Sequence, residues 1–531
     1  MSTKKSQTVG CLHEETRPTS PGKVPLTQDA AADAAQRIET TLTVREALRY
    51  YRKAIAWSLA VSTATIMESY DLMLIGSFFA FPPFQRKFGV QLPNGSWSIP
   101  ARWQLALGMV TNCGLILGVF ANGYCADRWG FRKVLMASHA ALIALIFINF
   151  FAPSVEVLTA GTFLISIPCG FFAAATPSYA AEITPLRLSG YATVYVNLCW
   201  VMGKLIAFGV LAGLLSNPTE WAYRLPFALQ WVAPVPLLAA TYFAPESPWW
   251  LVRKGRSDEA EVVVRRLLSA PEEVINPRDM VAMMARTIRT EKEMSIHGSW
   301  ADCFRGDNLR RTEISMISWG CQILPGFAVQ NYITYFFTLA GLSPADSFYM
   351  SIGNASLAFV GTVTSFFLMT KLGWRTVYLA GLAAMLPLMS LVGFLALAPA
   401  NPAVRWAQSA LLLIWFLVYG LSIGPIPYGI AAAVGATNLR VKTISLGRNT
   451  YYILNIVNTV VAPYLLNPQE ANLQGKAAFP AAGLTLMLAV WAWFRLPELK
   501  GLTGETLDSL FERKVPARQF LKAAKELQHV R

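Results

Sequence analysis

Glu68 and Asp71 stand three residues apart inside an otherwise apolar run, Met67-Glu68-Ser69-Tyr70-Asp71-Leu72-Met73-Leu74-Ile75. On a helix that spacing puts both carboxylates on one face. A carboxylate inside a membrane span is costly and functional by default, commonly as a proton carrier; the plainer alternative is a structural pair with a basic helix residue. A third ionisable group, Lys204, lies in another apolar run seven residues after Asn197, two turns along and on nearly the same face. Three roles are open to it: counter-ion to Glu68 or Asp71, anchor for an anionic solute, or a side chain snorkelling to the membrane edge. Other chemistry is sparse. Seven cysteines show no metal-ligand spacing, and Cys113, Cys125, Cys169, Cys199 and Cys321 sit in apolar segments as small hydrophobes. His13, His139, His297 and His529 are far apart, and no HExxH, GxSxG or Walker-A pattern occurs. No enzyme, ATP-driven pump, metal or cofactor is read here.

These charges need apolar elements to hold them. The chain has 531 residues, 54% hydrophobic and 14% charged, where soluble proteins carry about 25% charged residues. Its net charge of +14 is spread between apolar runs, which fits positive-inside membrane loops and not nucleic acid. Runs long enough to span a bilayer fall near 54–79, 104–125, 134–152, 158–182, 190–215 and 225–243, then near 313–338, 347–369, 376–398, 407–433, 443–465 and 477–495. The reading is an all-α membrane protein with twelve transmembrane helices in two six-helix halves. It comprises a cytosolic segment 1–53, an N-terminal half 54–243, a cytosolic linker 244–312, a C-terminal half 313–495 and a cytosolic tail 496–531. The first ~50 residues are polar with no signal-peptide core, and both termini are expected in the cytosol. Two six-helix halves around a linker is the build of transporters that rock about a midplane site.

Three motifs sharpen this. Gly123-Tyr-Cys-Ala-Asp127-Arg128-Trp-Gly130-Phe-Arg132-Lys133 resembles the loop between helices two and three of the major facilitator superfamily. Pro245-Glu246-Ser247-Pro248-Trp249-Trp250-Leu251 and Pro497-Glu498-Leu499-Lys500-Gly501 resemble the signatures that close the two halves of sugar porters. Met67 to Asp71, Leu74 to Pro82, Tyr195 to Gly203, Tyr335 to Phe337 with Ala340 to Leu342, and Arg448-Asn449-Thr450-Tyr451 resemble fungal maltose and α-glucoside permeases.

The resemblance implies the major facilitator fold and a sugar-like solute moved by alternating access with protons, Asp71 matching the family's coupling aspartate and Glu68 its neighbour. It places Asn197, Gln322, Tyr428, Tyr332 and Asn449 at or beside lining positions, since amides and aromatics suit a hydroxyl-rich ligand. Lys204 joins them. Asp127, Arg128, Glu182, Glu246, Arg375, Arg440 and Glu498 match gating charges. Gly424-Pro425-Ile426-Pro427-Tyr428 reads as a hinge or broken helix. The chain departs from the pattern at several points. Thr162 replaces the helix-four arginine, Ala433 the glutamate after helix ten, Leu502 a basic residue, Lys204 a glutamine, and Leu188-Ser189-Gly190 the usual Leu-Arg-Gly. An acidic or specialised metabolite and a non-transporting nutrient sensor stay open as alternatives. The implied setting is a plasma membrane, with the bilayer, protons and a small solute as partners and the oligomeric state left open.

Overall fold

The computed structural model describes residues 26–91, 97–295, 300–327, 329–339, 341–398, 401–436, 439–466, 473–500 and 504–530, with Gly95, Ala471 and Leu502. His13 and His297 lie outside the described residues. Nine of the described helices are long and apolar enough to cross a membrane: Ala101–Trp129, Phe131–Phe150, Val155–Ile183, Tyr195–Leu214, Trp221–Phe243, Pro344–Met369, Trp374–Leu395, Pro402–Ala431 and Gly475–Arg495. They are the second to sixth, eighth to tenth and twelfth spans. The first is Arg52–Ser62 continued by Thr65–Phe78, the seventh Gly306–Gly320 continued after two short 3-10 turns by Ile333–Leu339, and the eleventh Arg440–Leu466. The first and seventh are broken into helices too short to span alone, and the eleventh is long but polar; together they carry Glu68 and Asp71, Gln322 and Gln330, and Arg448, Asn455 and Asn458. The seventh span begins at Gly306, inside the stretch read from sequence as linker, because its first turns are polar. A two-residue ladder, Val90↔Ser98 and Gln91↔Trp97, is the one departure from helix among the described residues that forms a sheet.

Each half is held by the same close approach. The second and fourth spans touch at Gly118 and Gly170, and the eighth and tenth at Gly361 and Gly420, where a Cβ would run into the facing backbone. The halves meet along the fifth and eighth spans and along the second and eleventh. Away from the linker they are sealed by rings. Phe79 faces Tyr332 at 6.4 Å and the fully buried Phe81 and Phe348 meet edge-on at 5.9 Å. Asn455 Nδ2 donates to Asn112 Oδ1 at 2.6 Å beneath them. On the linker face Tyr191 stacks on Phe366 at 6.2 Å, but Tyr124, Asp127 and Arg128 at the end of the second span are exposed.

Helices Pro248–Arg253, Ser257–Leu267 and Pro277–Ser295 form a layer on that face. The stretch before the first span is not featureless. Leu26–Thr41 is a helix whose Ala32, Ala35 and Ile38, at three-residue steps, join the apolar cluster of this layer, and Arg286 of Pro277–Ser295 bonds Asp33 and Gln36.

Candidate functional site

A cavity of about 50 Å³ lies between the halves, lined by the fifth span at Asn197, Trp200 and Lys204, the seventh at Gln322 and Gln330, the eighth at Asn354, the tenth at Phe416, Tyr419 and Tyr428, and the eleventh at Arg448 and Tyr451. The tenth span breaks here as its prolines require. Pro402–Leu421 ends, Gly424 and Pro425 interrupt the ladder, and Ile426–Val434 resumes. Gln322 Nε2 donates to the Gly424 carbonyl at 2.6 Å, satisfying a backbone acceptor at the break. Two side-chain acceptors, Gln330 Oε1 and Asn354 Oδ1, are buried without a donor. Such a wall, amide acceptors between indole and phenol faces, suits a compact ligand rich in hydroxyl donors.

The charges are arranged around this wall. Lys204, 7% exposed, holds its ammonium 4.2 Å from the centre of the Trp200 ring, and no carboxylate pairs with it among the described residues. The counter-ion role left open by the sequence is therefore not what this geometry gives. The carboxylates have other partners. Asp71 Oδ1 accepts from Gln230 Nε2 at 2.9 Å, and Glu68 lies within the electrostatic reach of Arg448 of the other half without an ion pair to it. Arg448 is caged, its Cζ 4.8 Å from the Trp319 ring centre and 5.0 Å from those of Tyr451 and Tyr452, with Nε donating to the Tyr452 hydroxyl at 3.3 Å. Where the family's symporters place an arginine on the fourth span, Thr162 instead accepts from Asn149 of the third.

The closing signatures build one node in each half. Glu246 accepts from the backbone N–H groups of Phe131 at 2.9 Å, Arg132 at 3.2 Å and Ser247 at 3.0 Å, the first two opening the third span. Glu498 accepts from Trp374 at 2.9 Å, Arg375 at 3.1 Å and Lys500 at 3.2 Å, where the ninth span opens. A helix N-terminus offers unpaired N–H groups and positive potential, so a carboxylate is its natural stopper. Gly130, at φ 88°, and Gly373 leave room for the carboxylates that a side chain would take. Burial pushes the Glu246 carboxyl above its ordinary value, the three N–H groups pulling the other way. Arg132 donates to the Tyr242 carbonyl and Arg375 to those of Leu496, at 2.8 Å, and Trp493, at 3.0 Å. In the first half alone, Glu182 accepts from Ser247 Oγ and pairs with Arg253 at 2.5 Å.

Placed against the sequence reading, Asn197, Lys204, Gln322 and Tyr428 line the cavity. Tyr332 belongs to the ring seal, and Asn449 is not among the lining residues. Its neighbours Arg448 and Tyr451, one helical step apart, take the wall. Arg128 donates to the exposed Tyr124 hydroxyl at 2.8 Å, and Arg132 occupies the node instead. Asp127 is exposed, and its backbone carbonyl accepts from Trp250 Nε1 at 2.8 Å. The side chain of Arg440 lies outside the described residues. The sequence reading missed Arg448 and Gln330 as site residues. An arginine in mid-span was the available signal for the first; nothing marked the second. No group of three or more His, Cys, Asp or Glu among the described residues is placed to hold a metal ion.

Comparison with known proteins agrees with this architecture. The chain is 39% identical over 501 residues to the α-glucosides permease MPH3 of Saccharomyces cerevisiae, covering 93% of this chain and 83% of the relative. It is 37% identical over 503 residues to the maltose permease MAL31 of the same yeast, covering 93% and 82%. Among solved structures it is similar to the proton:xylose symporter XylE bound to 6-bromo-6-deoxy-D-glucose, with a TM-score of 0.69, 18% identity and coverage of 87% and 99%. It is similar also to the inward open conformation of XylE from E. coli, with a TM-score of 0.64, 18% identity and coverage of 86% and 99%. The fold is that of the major facilitator transporters, twelve helices in two six-helix halves. Residues 57–511 match the family described as sugar (and other) transporter, and the chain belongs to that family.

Proposed function

We propose that the protein is a secondary active transporter that moves a sugar-like solute with a proton by alternating access in the plasma membrane. The observation that carries this is the cavity between the halves, walled by amides and aromatics from both, with two buried carboxylates on the adjoining first span. The yeast relatives, permeases of maltose and α-glucosides, support the solute class. In this reading Asp71, held by a neutral amide, carries the proton, and Glu68 with Arg448 couples its state to the approach of the halves. Asn197, Gln322 and Tyr428 bind the solute, with Arg448 and Gln330 added to them.

Loop charges Arg128, Arg132 and Lys133, and Lys371 with Arg375, support a linker face in the cytosol together with both termini. The ring seal is then the outer gate, shut in this structure. Asp127 and Arg128 would meet the eleventh span near Arg440 when the inner side closes, while Glu182, Glu246, Arg375 and Glu498 keep each half rigid as it moves. Concentrative uptake of labelled maltose in cells lacking their own sugar transporters tests the reading. Asp71→Asn is expected to abolish accumulation against a gradient while leaving exchange of preloaded sugar. Undiminished accumulation in the variant would remove Asp71 from the coupling role.

A further inference from the structure

The cavity wall carries two cationic side chains, Lys204 from one half and Arg448 from the other, and no carboxylate. The two are not equivalent. Arg448 lies within electrostatic reach of Glu68 and is shielded by four aromatic side chains, Trp319, Tyr428, Tyr451 and Tyr452. Among the described residues Lys204 has neither a carboxylate partner nor a hydrogen bond, and its ammonium rests on the Trp200 ring. It is 93% buried by complement of its 7% exposure. An ammonium withdrawn from water needs an anion or a ring of acceptors to be kept charged. The fold supplies one indole face and no anion. Asp71 accepts from Gln230, and Glu68 lies within the field of Arg448.

Snorkelling does not resolve this. A lysine that reached the membrane edge would be exposed along its stem and head, whereas Lys204 points into the cavity between Asn197 and Phe208. Its backbone is pinned there as well. The preceding Gly203 lies so close to the first span that a Cβ would strike the Ile66 carbonyl and the Ser69 side chain. The unbalanced charge therefore belongs to the solute's side of the wall.

The same wall offers Gln330 Oε1 and Asn354 Oδ1 as buried acceptors awaiting donors. One cation seeking an anion and two acceptors seeking hydroxyls define a ligand that has both. We propose that the transported solute is a sugar acid, a polyhydroxylated ring or chain bearing a carboxylate, with the carboxylate set against Lys204 and the hydroxyls against Gln330 and Asn354. The proposal rests on the transport reading above and narrows its solute class. A neutral sugar would satisfy the acceptors but leave the ammonium desolvated and unpaired, which is discrimination by an unmet charge.

The test uses the full chain in cells lacking their own sugar uptake, with labelled D-glucuronate and labelled maltose as probes. Wild type is expected to take up glucuronate in preference to maltose. Lys204→Gln is expected to lower the ratio of glucuronate to maltose uptake at least tenfold, with Lys204→Arg keeping it within about threefold because the charge is retained. Maltose uptake without glucuronate uptake, or an equal loss of both in Lys204→Gln, overturns the sugar-acid proposal and leaves the transporter reading standing. If neither probe enters cells that display the protein at the surface, thermal unfolding of the purified protein decides. Stabilisation by glucuronate that Lys204→Gln abolishes supports the site; absence of stabilisation by glucuronate overturns it, and absence with maltose as well counts against sugar transport itself.

Discussion

At the linker face of the N-terminal half, Glu246 is anchored by three backbone N–H groups and stands beside a second carboxylate, Glu182, held by Ser247 and Arg253. In the C-terminal half Glu498 has its own three N–H groups, but Ala433 stands where the sequence pattern calls for the counterpart of Glu182, and Leu499 follows Glu498 where Ser247 follows Glu246. Apolar packing fills the difference: Leu499 is buried, and the Trp374 ring lies against Gly429 of the tenth span so closely that a Cβ there would sit 3.1 Å from it. The carboxylate at the helix N-terminus is thus the part common to both halves, since four unpaired N–H groups open every helix whatever surrounds it. The extra ion pair is an option that one half takes and the other replaces with hydrophobic contact.

The largest expected break in this symmetry lies where the halves meet. Arg448→Met removes the cation whose field favours the buried Glu68 carboxylate and empties the aromatic cage around it, and should give a lower melting temperature of the purified protein and near-complete loss of uptake. Adding Glu68→Gln should restore a large part of the stability; a double variant no better than the single would dissolve the pair. Next in size are Glu246→Gln and Glu498→Gln, each removing charge-assisted bonds to N–H groups at about 1.5–3 kcal/mol. Similar losses in the two are expected, and a loss in one half alone would break the equivalence. Glu182→Ala should cost about 1 kcal/mol or less, because its partner Arg253 is 37% exposed and water screens the pair. A loss as large as that of Glu246→Gln would make the ion pair, and not the N–H cradle, the core of the first latch.

The smallest effect concerns the helix Leu26–Thr41, which only the N-terminal half possesses. Burial pushes Glu39 up to about 7, and the Glu39 charge in turn raises the Tyr51 phenol. A carboxyl raised in the docked state holds its proton more tightly there, so its contribution to docking is complete below the ordinary value of 4.5 and is lost as pH rises through about 7. Amide exchange in Leu26–Thr41, corrected for its intrinsic pH dependence, should quicken between pH 5.5 and 8 by about severalfold, and Glu39→Gln should flatten the change. An unchanged exchange rate in wild type would remove Glu39 from the docking.

Much of the fold was legible because membrane helices announce themselves by apolar length, and the two Pro-Glu signatures located both nodes. What escaped did so for physical reasons. The seventh span starts at Gly306 because its early polar turns, including Arg310 and Arg311, are covered by the C-terminal tail: Arg311 pairs with Asp508 at 2.5 Å and Arg310 lies between Phe511 and Phe520. A polarity count reads such turns as loop. The resemblance points to Asn449 at or beside a lining position, whereas helical phase sets 448 and 451 on the wall. Tyr332 was read as a lining residue because a tyrosine serves equally as ligand contact or as seal, and only its stacking on Phe79 tells them apart. The helix before the first span was hidden by its charges, although its alanines recur at helical intervals.

The rings that close the far face have an electrical consequence. A layer of the buried side chains Phe79, Phe81, Phe348 and Tyr332 is a thin dielectric, and a membrane voltage falls mainly across its least conductive layer. In the state seen here that layer lies to one side of Lys204 and Arg448; once the seal opens and the linker face shuts, the drop must lie to their other side. The two cations stay still while the field is moved past them. Each elementary charge so crossed is worth about 2.3 kcal/mol per 100 mV, so an empty carrier and one whose solute neutralises Lys204 differ in how strongly voltage biases their turnover.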